Sequence, residues 1–239
     1  MRRRTAAAFV ASLVVTACGG GGGGGVATDG AGASQPDSSA ASAGPAPAAF
    51  AGTSSIAMWG DSMIPGVARA FAYMWDPPRQ IFDGGVGGET SVQVTARETA
   101  DNDHRDWVTI FWMGHNNDGQ PDQIKADFAT CIAHLAPGNN HFIVLSVVNK
   151  ADGTEDRGSP PYDTIMKLNA DLAATYPNNF LDIRSFMVAQ SDPNDPEQAD
   201  ELQKDLPSSQ LRFDGIHLSG HGDEVVGQRI IDFIHAKGW

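Results

Sequence analysis

Apolar runs alternate with helix-type patterns from about residue 53 to the end of the chain. Five of these runs predict β-strands because they are short and rich in β-branched and aromatic residues. They read SSIAMW, RQIFDGGV, WVTIFWM, HFIVLSVV and FLDIRSF. The runs over residues 108–113 and 142–148 are almost continuously apolar, which is typical of strands covered on both faces. The strand pattern therefore indicates a parallel sheet.

Segments between the strands carry apolar residues at helical spacing. We expect a first helix over 65–75, a helix that ends before Pro177, and a final helix that stops at Gly238. Strands that alternate with helices through short links predict a three-layer α/β/α domain with about five parallel strands. The polar segments 149–162 and 187–212 are expected to form loops above the ligand-binding edge of this sheet.

The chain begins with a segment of a different kind. Three arginines precede a mostly apolar run over 5–17, which is shorter than the roughly 20 residues that span a bilayer as a helix. We interpret residues 1–17 as a secretory signal peptide, and the alternative is a short transmembrane anchor. The sequence VTAC at 15–18 resembles a bacterial lipobox, and Gly19 after it favours the outer membrane. We therefore expect an exported protein held at the cell envelope by lipid on Cys18.

The next segment, 18–52, contains seven consecutive glycines and then mainly Ala, Ser, Gly and Pro. Such a composition cannot bury enough apolar surface to offset its ordering entropy, so we expect a disordered tether. Residues 53–239 are long enough to form one domain with a sizeable core. If Cys18 carries lipid, Cys131 has no disulfide partner, and its helical spacing with Phe128 predicts a small buried apolar residue.

The charge of the chain limits its partners. The full sequence carries −13, and removing residues 1–17, which hold three arginines and no acids, changes this to −16. An acidic surface repels nucleic acid and anionic lipid surfaces, so we expect no nucleic-acid partner. A neutral or weakly cationic substrate fits this charge better, and we expect the domain to be a monomer.

Four small or polar clusters follow predicted strands or precede the last helix, at the sheet edge where such folds bind ligands. They are GDS at 60–62, GETS at 88–91, GHNN at 114–117 and DGIH at 214–217. Each one alone has an ordinary explanation as turn chemistry or a capping pair. Their order and their placement together favour a catalytic site.

The four clusters resemble the sequence blocks of the SGNH hydrolases, also called the GDSL esterase/lipase family. The likeness spans the whole folded region and implies a flavodoxin-like α/β/α fold. By this resemblance Ser62 is the nucleophile, His217 is its general base, and Asp214 orients the imidazole. The backbone N–H groups of Ser62 and Gly88 and the side-chain amide of Asn116 would form the oxyanion hole.

The chemistry of these residue types agrees with the implied roles. A serine hydroxyl is a weak nucleophile until a base takes its proton, and a carboxylate fixes the tautomer of that base. Fixed N–H donors stabilise the oxyanion of acyl transfer. The implied reaction is ester hydrolysis through an acyl-enzyme, with no metal and no other cofactor. Two positions depart from the family pattern, because Met63 replaces a leucine and the neutral Asn117 replaces an aspartate.

Three other interpretations stay open at the level of sequence. His217 and His221 are four residues apart and, with His115 and Asp214, could bind zinc. A domain without catalysis could bind a surface polysaccharide. The same acyl-enzyme could pass its acyl group to a sugar as an acyltransferase. Within the hydrolases, a lipase, lysophospholipase or thioesterase is the alternative to an esterase.

The substrate is the feature that the sequence constrains least. Trp59, Trp112 and His115 lie near the predicted site and could stack on a sugar, although such aromatic residues more often belong to the core. The polar segments show no broad apolar patch of the kind that long acyl chains need. We therefore expect a short-acyl ester, such as an O-acetylated carbohydrate.

Overall fold

The computed structural model describes residues 54–239. The predicted signal peptide, the lipidation site Cys18 and the tether lie outside the described residues. The described part contains five β-strands and seven α-helices. They are β1 (Ile56–Gly60), α1 (Ile64–Met74), β2 (Ile81–Gly85), α2 (Ser91–Glu98), β3 (Val108–Trp112), α3 (Pro121–His134), β4 (Phe142–Leu145), α4 (Pro160–Thr175), β5 (Phe180–Leu181), α5 (Ile183–Val188), α6 (Pro196–Lys204) and α7 (Gly220–Lys237).

All five strands are parallel and lie in the order β2-β1-β3-β4-β5. The chain passes from β1 to β2 on one side and then crosses to β3 on the other side. Gly60 at the end of β1 therefore pairs with Gly85 on one side and with Trp112 on the other. In a sheet of this order the crevice beyond these strand ends is the usual ligand site. The loops that follow β1, β2 and β3 meet there.

Alternating side chains along β1 divide the core into two layers. Ile56 and Met58 pack with residues of α1, α5 and α7, whereas Ala57 and Trp59 pack with residues of α2, α3 and α4. All five residues of β1 are buried, as the continuous apolar pattern indicates for a central strand. The predicted three-layer α/β/α architecture with five parallel strands is confirmed.

The helices that the sequence predicted most clearly have the expected ends. Helix α1 starts one residue before the predicted position, and α4 stops at Thr175, ahead of Pro177. Gly238 follows α7 with φ +72°, the left-handed conformation in which glycine commonly ends a helix. Cys131 is buried and forms no disulfide within the described residues. No helix between residues 54 and 239 is long and apolar enough to cross a membrane.

The predicted fifth strand is present but much shorter than expected. The run FLDIRSF forms a strand of only two residues, Phe180–Leu181, and then continues as α5. Asp182 separates the two elements because its carboxylate accepts a hydrogen bond from the N–H of Ser185, which caps the helix. The same carboxylate accepts a hydrogen bond from the hydroxyl of Ser146 beyond β4.

The predicted loop over 187–212 is also wrong. It contains α6, which begins with Asp195 as N-cap and Pro196 in the first turn. The Asp and Pro residues that indicated a loop are therefore helix-start signals. None of the residues 187–212 lines the cavities beside Ser62 that are described below.

Candidate active site

Ser62 lies in the tight turn between β1 and α1. The N–H of Met63 donates a hydrogen bond of 3.1 Å to Oδ1 of Asp61, and Met63 is the N-cap of α1. Ser62 therefore stands at the N-terminus of a helix, where the helix dipole favours negative charge. Gly60 leaves no room for a side chain, since a Cβ there would lie 1.9 Å from a carbonyl oxygen of β3.

Three of the predicted site residues form one hydrogen-bonded chain. Nε2 of His217 lies 3.0 Å from Oγ of Ser62, and Nδ1 of His217 lies 2.8 Å from Oδ2 of Asp214. A carboxylate can only accept, so Nδ1 carries the proton and Nε2 is free to accept the Ser62 proton. Oδ1 of Asp214 accepts two further bonds, from the N–H groups of Ile216 and His217.

These hydrogen bonds keep Asp214 ionised. Partial burial would raise the pKa of Asp214, but the N–H of Ile216 and both contacts from His217 lower the pKa to about 2. The loop that carries Asp214 is held by Arg212, whose guanidinium donates to the Asp214 carbonyl oxygen at 2.9 Å and pairs with Glu201 of α6. No sequence pattern predicts this support, and the arginine two residues before Asp214 is the only local signal.

Asn116 lies in a 3-10 turn, His115–Asn117, that follows β3. It lines the same cavity as Ser62 and His217. Nδ2 of Asn116 donates a hydrogen bond of 2.8 Å to the carbonyl oxygen of Glu89. Since an amide carries two hydrogens, the second can point to a developing oxyanion.

Gly88 lies in the loop between β2 and α2 with φ +80°, a conformation that favours glycine. The adjacent Gly87 lies against the nucleophile, since a Cβ built there would be 3.9 Å from Cβ of Ser62. Gly88 itself is not among the residues that line the cavity. Its part in an oxyanion hole stays a prediction.

The departure at Asn117 is accommodated by a hydrogen-bond network. Oδ1 of Asn117 accepts from the N–H of Ser91, and Nδ2 of Asn117 donates to Oγ of Ser91, both at 3.0 Å. The Ser91 hydroxyl then donates its one proton to Asp127 of α3 at 2.6 Å. An amide at 117 therefore suits the carboxylate at 127, and together they join the turn of Asn116 to α2 and α3.

Two cavities border Ser62 and His217. The first has a volume of about 410 Å³ and also contacts Asn116, His115 and Lys150. Lys150 belongs to the segment 149–162, which was expected to lie above the site. The second has a volume of about 220 Å³ and lies beside α1 and the start of α7.

Of the three aromatic residues that the sequence placed near the site, His115 lines the first cavity, but the two tryptophans are not available to a ligand. Trp59 and Trp112 are only 4% and 3% exposed, so they belong to the core. Phe213 is 71% exposed, and its ring stacks on the imidazole of His217 with centroids 5.7 Å apart and planes at 15°. Its position directly before Asp214 was the sequence signal for this contact.

The zinc interpretation has no geometric support in the described part. Both ring nitrogens of His217 are engaged by Asp214 and Ser62. Among residues 54–239, the one group of potential metal ligands joins His115 to Asp118 and Glu155, and neither His217 nor His221 belongs to it.

The chain is similar to known proteins in its fold. No protein-family model and no curated protein matches the chain. Solved structures do match: a GDSL-like lipase from Bacteroides thetaiotaomicron has a TM-score of 0.60 and 18% identity, covering 77% of this chain and 89% of that one. A lipase/acylhydrolase from Enterococcus faecalis has a TM-score of 0.58 and 16% identity, covering 77% and 97%. An acetyl xylan esterase has a TM-score of 0.58 and 16% identity, covering 74% and 98%. At such identities the likeness establishes the fold.

Proposed function

We propose that this chain is a serine ester hydrolase of the SGNH (GDSL) type. The observation that carries the proposal is the hydrogen-bonded chain from Ser62 through His217 to Asp214, at the sheet edge where this fold binds ligands. Asn116 borders the same cavity and supplies an amide donor. The fold shared with lipases and esterases supports the same conclusion.

The reaction follows from the protons that this chain can move. Ser62 Oγ attacks the ester carbonyl carbon while Nε2 of His217 takes the hydroxyl proton. The carbonyl oxygen becomes an oxyanion, which the Asn116 amide and the helix N-terminus at Ser62 stabilise. His217 then gives the proton to the leaving alcohol as the ester C–O bond breaks. Water then attacks the acyl carbon while His217 takes its proton, and that proton passes to Ser62 Oγ as the bond from Oγ to the acyl carbon breaks and the acid leaves. Asp214 stabilises the imidazolium at each step.

The substrate that fits best is a short-acyl ester, and we favour an acetyl group on a carbohydrate. Asp61, His115 and Lys150 place ionisable groups at the first cavity, and no large exposed apolar side chain from residues 54–239 lines it, which suits a small acyl group better than a long alkyl chain. One structural neighbour is an acetyl xylan esterase, which supports a sugar acetate. The proposal includes a monomeric enzyme, exported by residues 1–17 and attached to the envelope, in the outer membrane, through lipid on Cys18.

The test is hydrolysis of 4-nitrophenyl esters of increasing acyl length by the purified domain. We expect kcat/KM to be highest for acetate or butyrate. Ser62→Ala should lower kcat by about 10⁴-fold or more, and Asn116→Ala by about 100- to 1000-fold. Ser185→Ala is the matched control, because Ser185 is exposed on α5 and lies outside both cavities. Absence of hydrolysis, or full activity in Ser62→Ala, would refute the proposal, and a maximum at long chains would indicate lipid substrates.

A further inference from the structure

The second cavity beside the nucleophile differs in its polar groups from the first. Asn116 lines only the first cavity, whereas the second is lined by Arg69, Phe213 and Asp223 together with Ser62 and His217. We refer to it as the Asp223 cavity. Because it shares the nucleophile and the base with the first cavity, a molecule bound there lies next to the reacting atoms.

Asp223 is an unusual group at this position. Asp223 is only 9% exposed, and its carboxylate has no hydrogen-bond or ion-pair partner among residues 54–239. Burial raises the pKa of Asp223 to about 6, with Arg69 acting to lower it and Glu224 to raise it. The carboxylate oxygens of Asp223 are not sealed in the interior but open into the cavity, where a hydroxyl group of a bound molecule can donate a hydrogen bond to them.

The packing of α1 against α7 leaves space for this carboxylate. A Cβ built on Gly66 of α1 would lie 2.3 Å from both carboxylate oxygens of Asp223. Any side chain at residue 66 would therefore displace the carboxylate or fill the cavity. The glycine permits an acidic group to lie between the helices and still border the cavity.

Phe213 and Arg69 give the Asp223 cavity two further properties. The Phe213 ring is highly exposed and nearly parallel to the imidazole of His217, so it offers an apolar aromatic surface beside the base. Arg69 is exposed on α1 and supplies N–H donors and a positive charge. A pyranose ring has an apolar C–H face for stacking and hydroxyl groups that both donate and accept, and these match the three groups.

We propose that the Asp223 cavity binds the alcohol portion of the ester. This portion is a sugar ring that stacks on Phe213 and donates a hydrogen bond from one hydroxyl group to the Asp223 carboxylate. The inference rests on the proposed serine hydrolase function. The leaving oxygen must come within reach of Nε2 of His217 to receive the Ser62 proton, and the Asp223 cavity is bordered by His217. The carbonyl oxygen meanwhile faces Asn116 across the first cavity. The bond from Ser62 Oγ to the acyl carbon forms first, and the bond from that carbon to the sugar oxygen then breaks as His217 gives the Ser62 proton to that oxygen.

The experiment compares two acetate esters that differ only in their alcohol. Acetate release from ethyl acetate and from a monoacetylated methyl xyloside is measured by pH-stat titration. In Asp223→Asn and in Phe213→Leu, the kcat/KM ratio of sugar acetate to ethyl acetate should fall about tenfold, the usual effect of removing the charge from one hydrogen bond or of losing one aromatic contact. The loss should appear mainly as a higher KM for the sugar ester.

Tyr73→Leu is the matched control for Phe213→Leu. Like Phe213, Tyr73 is an exposed aromatic residue, but it lies on α1 outside the cavity. Its ratio should equal that of the wild type. An equal loss on both esters would show that the variants act only through the triad and would overturn the inference, as would wild-type enzyme that hydrolyses ethyl acetate but no sugar acetate. Wild-type protein inactive on every ester would instead refute the proposed function, and this inference with it. Phe213→Leu, at an exposed position, keeps the test available if Asp223→Asn does not fold.

Discussion

Replacing Asp61 by asparagine should make the domain more stable at neutral pH. Asp61 is only 2% exposed. Burial raises its pKa to about 6, although the N–H of Met63 and the nearby His115 and His217 favour the anion. The folded pKa is above the unfolded value of 3.8. The stability that this difference contributes is therefore complete below pH 3.8 and is lost as the pH rises through 6.

The size of the effect follows from the difference between the two pKa values of Asp61. A difference of roughly two units corresponds to about 3 kcal/mol in the free energy of unfolding. Most of this, about 2 kcal/mol, is lost between pH 4 and pH 7. In Asp61→Asn the side-chain oxygen can still accept the Met63 N–H, but no charge is buried at pH 7. The variant should avoid this loss and exceed the wild type in stability by about 2–3 kcal/mol at pH 7.

The assay is urea denaturation of both proteins at pH 4, 5, 6 and 7. Asp223 and Glu98 also have raised pKa values because of burial, so only the difference between wild type and variant isolates Asp61. Ser62→Ala is the control, since it removes no titratable group and should follow the wild-type pH dependence. A difference between wild type and Asp61→Asn that stays constant from pH 4 to pH 7 would refute the reasoning.

Two further predictions concern the supports of the site. Asn117→Asp should lower kcat by about tenfold, because two carboxylates would compete for the single proton of Ser91, and adding Asp127→Asn should restore it; steady-state kinetics that show no rescue contradict this. Gly60→Ala should lower the free energy of unfolding by about 1–3 kcal/mol or more in urea denaturation, because the added Cβ would lie 1.9 Å from a carbonyl oxygen of β3. Gly119→Ala is the control, since nothing lies within 4 Å of the added carbon, and an equal loss in both would refute the steric argument.

The central part of the fold was predictable from sequence because burial on both faces leaves a continuous apolar run. Strands β1, β3 and β4 are of this kind, and the rule that parallel sheets bind ligands at their carboxyl edge then located the site. The order of Ser62, Asp214 and His217 along the chain allowed the resemblance to the SGNH sequence blocks to be extended residue by residue. In the structure His217 lies within hydrogen-bonding distance of both Ser62 and Asp214.

The polar supports of the site were not predictable in the same way. Helix α6 has a mostly polar sequence, so it lacks the apolar periodicity that reveals a helix. Its contribution is the ion pair of Glu201 with Arg212, a contact between residues that no local pattern relates. Trp59 and Phe213 show the same limit, because aromatic type alone does not distinguish a core residue from an exposed one.

The loops that carry the reacting groups are each fixed by a different polar contact. The Ser62 turn is closed by Asp61, the Asn116 turn is joined to Ser91 through Asn117, and the Asp214 loop is held by Arg212. Such contacts must position their loops accurately, but they can be built from different residue pairs. An amide facing a carboxylate at 117 and 127 achieves what a charged residue at 117 could achieve only with a different partner. A fold shared at 16–18% identity leaves room for such differences. We therefore predict that a departure at one of these loops is accompanied by a change in the residue that contacts it.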